Sequence, residues 1–151
     1  NDSLTDCSFE AAVGYATLDG TQRHEERISL TLKAVSRETI HMFSAPTDRK
    51  DIICYMRPLN NDKLEPGLLH KHPNRQLMAI NQQAKISQKT TDGNDLIVSI
   101  EAKTYCHGVY LQIDDEQQVS DQYFDLLPGQ VKTVRISQGA GSNPVLKLPF
   151  A

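Results

Sequence analysis

SDQYFDLLPGQ, residues 120–130, is the segment on which the predicted fold of this chain depends. Its last four residues, 127–130, match a type II turn, because proline presets φ at the second position and glycine allows the positive φ of the third. Tyr123 and Phe124 lie just before this turn, in a chain with five tyrosines, four phenylalanines and no tryptophan. We therefore expect the two rings to anchor the turn to a hydrophobic core.

Strand-like runs lie on both sides of this segment, at 109–113 and 131–136. Between the first run and the turn, the acidic tripeptide DDE at 114–116 has the polarity of a solvent-exposed hairpin tip. Residues 107–137 are therefore predicted to form an up-down-up β-meander.

Alternation of apolar and polar residues dominates the rest of the chain, and nothing in the first half has a convincing 3.6-residue period. Asp-Gly pairs predict turns at 18–21 and 92–94. The chain is therefore predicted to be all-β, with about ten short strands as in immunoglobulin-like β-sandwiches. The predicted strands outside the meander are 9–15, 28–34, 40–42, 51–57, 76–80, 85–89, 96–102 and 145–148.

Irregular segments separate some of these strands. The inward-facing positions are even at 96–102 but odd at 109–113, so a bulge or a change of sheet is expected at 103–108. Residues 58–74 are rich in proline and asparagine and are predicted to form a long loop. The glycine-rich tail at 139–144 is predicted to be flexible.

The phrase VSDQYFDLLPGQVKTV resembles the C-terminal immunoglobulin-like domain of the β-mannosidase branch of family 2 glycoside hydrolases. Members of that branch carry a segment close to F-S-D-N-Y-F-D-L-L-P-G-E before their last strand. Val119, Gln122 and Gln130 depart from this pattern. The resemblance is closest over residues 84–137 and more distant over residues 1–80. The matching positions are Ser120, Asp121, Tyr123, Phe124, Asp125, Leu126, Leu127, Pro128 and Gly129.

The resemblance implies two small immunoglobulin-like sandwiches in tandem. Residues 1–81 would form the penultimate sandwich, without its first strand, and residues 82–151 the C-terminal sandwich of β-mannosidase type. The chain opens at Asn1 without a methionine or a signal sequence, so we expect it to be part of a longer polypeptide. The implied role is non-catalytic: the fragment would brace the catalytic barrel of that polypeptide and contribute to substrate access. The barrel is the implied partner, and carbohydrate would be met through the parent enzyme.

Composition excludes some other functions. The 151 residues are 38% hydrophobic and 23% charged, as in an average globular chain, with a formal net charge of −3. Lysine and arginine are scattered, so the basic stripe that nucleic acid binding needs is missing. No apolar run approaches the roughly 18 residues that a membrane span requires. We therefore expect neither a nucleic acid nor a membrane as partner.

The cysteines bear on the compartment. Cys7, Cys54 and Cys106 leave at least one thiol unpaired, unlike the dense, even set of a disulfide scaffold. This favours a bacterial periplasmic or cytoplasmic location over a disulfide-rich secreted one. Cys54 shares its parity with Ile52 and Met56, so we expect it to be a small buried hydrophobe.

Residues with catalytic or metal-binding chemistry are few. A retaining glycosidase needs two carboxyl groups about 5–5.5 Å apart, and in the resembled family both lie on the barrel. His70 and His72 lie on one side of an extended segment without an obvious third ligand. Cys106 and His107 are neighbours whose side chains should diverge on a strand, and His107 is expected to have a hydrogen-bonded structural role. We predict no catalytic residue, metal site or cofactor in this chain.

Two alternative function classes stay open. An independent carbohydrate-binding module would present exposed aromatic rings to sugar rings. A structural or adhesion-type sandwich from an unrelated protein would share the fold, because sandwiches serve many functions. Sugar specificity, linkage and oligomeric state are not encoded in any motif that we identify.

Overall fold

The computed structural model describes residues 1–37, 39, 41–46, 48–60, 64–70, 81–113 and 117–149. Within these residues all regular secondary structure is β-strand, which confirms the predicted all-β class. The chain divides into two compact units, one of Asn1–Thr17 and Thr21–His72, the other of Leu18–Gly20 and Pro73–Ala151. The described strands are β1 (Cys7–Thr17), β2 (Arg23–Leu32), β3 (Ile52–Pro58), β4 (Gly67–His70), β5 (Ala84–Asp92), β6 (Asp95–Ala102), β7 (Cys106–Gln112), β8 (Gln118–Val119), β9 (Phe124–Leu126), β10 (Val131–Ser137) and β11 (Val145–Lys147).

The first unit is built on one four-stranded antiparallel sheet with the order β2-β1-β3-β4. β1 is an inner strand of this sheet and is almost continuously buried over residues 11–17, where it carries small residues such as Ala11 and Ala12. The strands predicted at 9–15, 28–34 and 51–57 are confirmed as β1, β2 and β3, although β2 begins five residues earlier than predicted. Cys54 is buried on β3, as expected from its parity.

A polar network joins β2 to β3 across this sheet. The Tyr55 hydroxyl donates to Glu25 at 2.8 Å, and the Arg57 guanidinium donates to the same carboxylate at 3.0 Å. Burial raises the pKa of Glu25, but the hydrogen bonds from Tyr55 and Arg57 outweigh burial, so the net pKa lies below its ordinary value. Burial, followed by the bond to Glu25, raises the pKa of Tyr55 to about 12. The carboxylate therefore stays charged and the phenol stays a donor at neutral pH.

Two predictions for the first unit are wrong where the structure describes the residues. The sequence predicts a short strand at 40–42, but the described residues 41–46 contain no strand and Met42 is exposed. The segment 58–74 was predicted to be loop throughout, but β4 lies within it and pairs with β3, with Leu69 opposite Cys54. Four residues with two apolar members are too few to show a clear period. The strand predicted at 76–80 lies outside the described residues.

The second unit is a sandwich of two antiparallel sheets, with the strand orders β5-β6-β10-β8 and β11-β7-β9. Its core lies between the sheets and draws on β6, β7, β9 and β10. The strand runs predicted at 85–89, 96–102 and 145–148 are confirmed as β5, β6 and β11. From β6 onward, each connection between consecutive strands passes from one sheet to the other. The buried core residues are Leu96, Val98, Ile100, Ala102, Cys106, Val109, Leu111, Phe124, Leu126, Val134 and Ile136.

The bulge or change of sheet predicted at 103–108 is confirmed, and the structure has both. β6 and β7 belong to different sheets, and the pairing of β7 with β9 shifts register between Cys106 and Val109. Gly108 lies at this shift with a φ of 65°. Glycine adopts this left-handed conformation without the steric penalty of a Cβ, which lets the strand bulge here.

The predicted β-meander at 107–137 is wrong. β7 pairs with β9 and β11, whereas β10 pairs with β6 and β8 in the opposite sheet. Alternation shows which side of a strand faces the core, but it does not show which strand is the hydrogen-bonding partner. The tripeptide predicted as its exposed tip, 114–116, lies outside the described residues.

The predicted flexible tail at 139–144 is held by specific contacts. The Ala140 amide donates to Asn94 O at 2.9 Å, and Lys89 Nζ donates to Asn143 Oδ1 at 2.9 Å. A Cβ added at Gly139 would lie 2.8 Å from Ile136 Cγ2, so this glycine is tightly packed. Glycine here permits close packing, so the tail makes specific contacts that its composition does not suggest.

The turn at 127–130 is confirmed. The Gln130 amide donates to Leu127 O at 2.9 Å, which closes the four-residue turn, and Gly129 has a φ of 75°. The turn also pairs with the end of β6, because the Gly129 amide donates to Ala102 O at 2.8 Å and the Ala102 amide donates to Gln130 O at 3.0 Å. It therefore fastens the connection from β9 to β10 onto β6, in the sheet that β10 enters.

We expect Gly129→Val to lower the free energy of unfolding by about 1–2 kcal/mol, because a branched side chain is strained at positive φ. Gly129→Asn should cost less, since asparagine tolerates this conformation better. Gly67→Val is the control, because a Cβ added at Gly67 meets no atom within 4 Å. Urea unfolding of the three variants measures the difference. Equal stability of Gly129→Val and Gly67→Val would show that the turn does not require glycine.

Candidate functional site

The carboxylate of Asp125, on β9, is the polar centre of the 120–130 segment. Its Oδ2 accepts a hydrogen bond from the Tyr105 hydroxyl at 2.7 Å. Its Oδ1 lies 2.8 Å from His107 Nδ1 and accepts from the Gly108 amide at 3.0 Å. Because an ionised carboxylate can only accept, Nδ1 of His107 carries the proton. One side chain thus receives donors from the connection after β6 and from the bulged start of β7.

The donors to this carboxylate are themselves constrained. The Tyr105 side chain is fully buried, and burial, followed by the bond to Asp125, raises the pKa of its phenol. The phenol therefore stays neutral and able to donate. The expected structural, hydrogen-bonded role of His107 agrees with its contact to Asp125.

Cys106 does not form a nucleophile–base pair with His107. The Cys106 thiol is fully buried and donates to Thr104 O at 3.4 Å, while His107 points its ring to Asp125. Burial raises the pKa of the Cys106 thiol to about 11, so the thiolate needed for nucleophilic attack is not populated at neutral pH. The predicted divergence of these two neighbours is confirmed.

Gln122 has a role that the sequence did not suggest. Its Oε1 accepts from the Leu111 amide and its Nε2 donates to Leu111 O, both at 2.9 Å. The side chain amide thereby occupies the place of a strand partner beside β7, where β9 has not yet begun. Gln122 replaces an asparagine of the resembled motif, and either amide carries both a donor and an acceptor.

The two aromatic residues of the segment take different positions. Phe124 is buried in the core, with 9% of its surface exposed, so the expectation that the two rings anchor the turn to a core is confirmed for Phe124 and wrong for Tyr123. Tyr123 is 70% exposed and has a φ of 59°, in the left-handed region. A bulky residue in this conformation is uncommon. No sequence pattern that we used distinguishes these two neighbours.

Ser120 and Asp121 tie the start of the segment to β10. The Ser120 amide donates to Arg135 O at 2.8 Å, and the Arg135 amide donates to Ser120 Oγ at 3.0 Å. The Asp121 carboxylate forms an ion pair with Lys132 Nζ at 2.7 Å. Lys132 Nζ also lies 5.1 Å from the centre of the Phe124 ring, within the range of a cation–π contact.

The last residues of the segment contribute packing and the turn. Leu126 and Leu127 are fully buried, and the Leu127 amide donates to Gln130 Oε1 at 2.9 Å. Pro128 and Gly129 form the middle of the turn described above. The segment therefore combines core packing with hydrogen bonds to both sheets, and its chemistry is structural.

The remaining candidates are only partly described. His70 lies at the end of β4, whereas His72 lies outside the described residues. The absence of a metal site stays a prediction. Within the part of the chain that the structure describes, no helix is long and apolar enough to cross a membrane.

Comparison with known proteins identifies the second unit. Residues 81–147 match the family of Ig-fold domains of mannosidases. They form a mannosidase-type Ig-fold domain. The segment 120–130 lies within the matched residues, which confirms the resemblance and the predicted immunoglobulin-like β-sandwich.

The solved structures extend the likeness beyond this mannosidase-type domain. The chain is similar to the crystal structure of a β-D-mannosidase from Dictyoglomus thermophilum, with a TM-score of 0.81 and 17% sequence identity. The similarity covers 99% of this chain but only 19% of that enzyme. At this identity it shows the fold. No curated protein matches the chain in sequence.

We expect Asp125→Asn to destabilise the mannosidase-type domain strongly. The new amide group would face a donor, either the Tyr105 hydroxyl or the Gly108 amide, and each buried group left unsatisfied costs about 1–3 kcal/mol. Asp121→Asn is the matched control in the same segment, because its ion pair is partly exposed and should contribute at most about 1 kcal/mol. Urea unfolding measures both. Equal losses for the two variants would contradict a special role for Asp125.

Proposed function

We propose that this chain is a non-catalytic C-terminal β-sandwich region of a family 2 glycoside hydrolase of the β-mannosidase type. Its two domains would be residues 1–81 and 82–151. In the parent polypeptide it would brace the catalytic barrel and contribute to substrate access. The observation that carries the proposal is the mannosidase-type match at 81–147, together with a structural likeness to nearly the whole chain but to 19% of a β-D-mannosidase.

The interior of the second unit supports a bracing role. Asp125 receives its hydrogen bonds from donors within the chain, and the Cys106 thiol is buried and protonated. The polar side chains of the segment 120–130 thus hold strands together, which suits a rigid support. A sandwich of this size buries only about 60% of the surface of its unfolded chain, so a further partner surface would add stability.

One observation favours the alternative of direct carbohydrate binding. Tyr123, at 70% exposure, presents an aromatic ring to solvent beside the motif. An exposed ring of this kind is the feature that a carbohydrate-binding module uses. Such binding is compatible with the main proposal, because a bracing domain can also contact the substrate.

We expect the isolated chain to show no glycosidase activity. The two carboxyl groups that hydrolysis needs are proposed to lie on the barrel. Incubation with chromogenic β-mannoside, β-glucoside and β-galactoside should give no turnover above buffer. Hydrolysis that increases with the concentration of this chain would contradict the proposal.

The coding sequence upstream of Asn1 tests the parent assignment directly. It should encode a barrel with a pair of catalytic glutamates, and its absence would overturn the proposal. In that polypeptide, deletion of the 151 residues should lower the melting temperature of the barrel. An unchanged melting temperature would contradict the bracing role.

A further inference from the structure

Two tyrosines form a small aromatic surface on the outer side of the β11-β7-β9 sheet. Tyr110 lies on β7 between the buried residues Val109 and Leu111, so its side chain points away from the core. The rings of Tyr110 and Tyr123 have centroids 5.0 Å apart and are tilted by 32°. Tyr123 is 70% exposed. The pair therefore offers a ring face to solvent.

The backbone of Tyr123 has a strained conformation. Its φ of 59° is in the left-handed region, where a bulky side chain is strained by about 1–3 kcal/mol. The two hydrogen bonds of Gln122 to Leu111 fix the residue before it, and the buried Phe124 ring fixes the residue after it. The fold thus maintains a strained conformation whose result is an exposed aromatic ring. Strain of this kind points to function rather than to core packing.

Polar side chains flank the ring pair. Lys147 is directly opposite Tyr110 in the register of β11 and β7, and therefore lies on the same face. Gln112 follows two residues along β7, about 7 Å away, and is exposed. An ammonium and an amide beside an aromatic ring can bond to hydroxyl groups of a ligand that stacks on the ring.

A polar cleft continues from Gln112 at the end of the same sheet. Its volume is about 170 Å³, and its lining includes Gln117, Ser142 and Asn143. The Oε1 of Gln117 and the Oγ of Ser142 are buried and have no hydrogen-bond partner within the described part of the chain. Buried oxygens of this kind are normally satisfied. A ligand hydroxyl that enters the cleft would supply the donor they lack once the side chains that cover them turn aside.

The size of the patch favours a small ligand over a protein partner. A stable protein interface buries about 800 Å² on each side. Among the described residues of this unit, the exposed large apolar side chains are Tyr123, Val131 and Val145, and Val131 lies on the opposite sheet. Two rings and one valine do not make an apolar area of that size. A flat ring next to hydroxyl-binding groups fits the apolar face and the hydroxyl rim of a pyranose.

We propose that the outer face of β7 binds a saccharide chain. One sugar ring stacks on Tyr123 and Tyr110, and hydroxyl groups of a sugar further along the saccharide chain bond to Gln117 and Ser142 in the cleft. Only the choice of a β-linked mannan oligosaccharide as probe rests on the proposed function. The site would add a substrate contact outside the catalytic domain.

The test is isothermal titration of the 151-residue chain with β-1,4-linked mannotetraose and mannobiose, and with cellotetraose. Mannotetraose should bind more tightly than mannobiose, because only the longer chain reaches both the rings and the cleft. Tyr123→Ala should weaken mannotetraose binding by about tenfold or more, the equivalent of one stacking contact. Tyr123→Phe keeps the ring and should bind as the parent chain does. Ser142→Ala should remove the advantage of mannotetraose over mannobiose.

Val131→Ala is the matched control, since Val131 is 55% exposed but lies on β10 in the other sheet. It should leave binding unchanged. Binding of either tetrasaccharide that depends on Tyr123 supports the proposal. No binding at millimolar concentration, or equal binding by Tyr123→Ala, would overturn it. A change in self-association of Tyr123→Ala without saccharide binding would assign the patch to a protein contact and would also overturn it.

These outcomes are independent of the parent assignment. An upstream barrel without Tyr123-dependent binding contradicts the saccharide site and leaves the proposed function standing. Tyr123-dependent binding without an upstream barrel contradicts the proposed function and leaves the saccharide site standing.

Discussion

The carboxylate of Asp125 is the interaction on which the mannosidase-type domain depends. A β-bulge at Gly108 breaks the regular ladder between β7 and β9 and leaves a backbone amide without a strand partner. Asp125 Oδ1 accepts from that amide, and its other oxygen accepts from the buried Tyr105 hydroxyl. A charged acceptor is suited to this position because its hydrogen bonds are about twice as strong as neutral ones. Without this carboxylate, the Tyr105 hydroxyl, His107 Nδ1 and the Gly108 amide would lose their shared acceptor.

Asp125 and the turn at 127–130 act on two neighbouring crossings between the sheets. Asp125 fastens β9 to the connection that leads from β6 into β7, and the turn fastens the connection from β9 to β10 onto Ala102, at the end of β6. The two connections thus lie next to each other near the end of β6, and each is held by hydrogen bonds to the strand from which the other starts. This explains why the motif carries a carboxylate, two leucines and a proline-glycine turn within five residues. The exposed ring of Tyr123 follows from the same arrangement, because the residues on both sides of it are fixed.

Residue types and their short-range period predicted much of this domain, but they did not predict which strands are hydrogen-bonding partners. The parity of β6 and β7, the change of sheet between them and the glycine turn were predictable, since each depends on residue type and period within a few positions. The strand partners of 109–113 and 131–136 were not predictable, because the alternation of apolar and polar residues is the same whichever strand lies next to them. Gln122 and Tyr123 show a second limit: a side chain that replaces a strand partner, and a tyrosine at positive φ, require knowledge of which backbone lies next to them. The predictions at Met42 and at β4 were wrong for a simpler reason, because a few apolar residues do not show a reliable period.

The account predicts that the Asp125 carboxylate and the Tyr105 hydroxyl stabilise the domain as a pair. A double-mutant cycle tests this most directly, with urea unfolding of the parent chain, Asp125→Ala, Tyr105→Phe and the double variant. Contacting residues in one network typically couple by about 0.5–3 kcal/mol. We expect a coupling of at least about 1 kcal/mol, because each single change leaves the other group buried and without its main partner. Additive losses, with a coupling near zero, would contradict the claim that this interaction fastens β9 to the connection between β6 and β7.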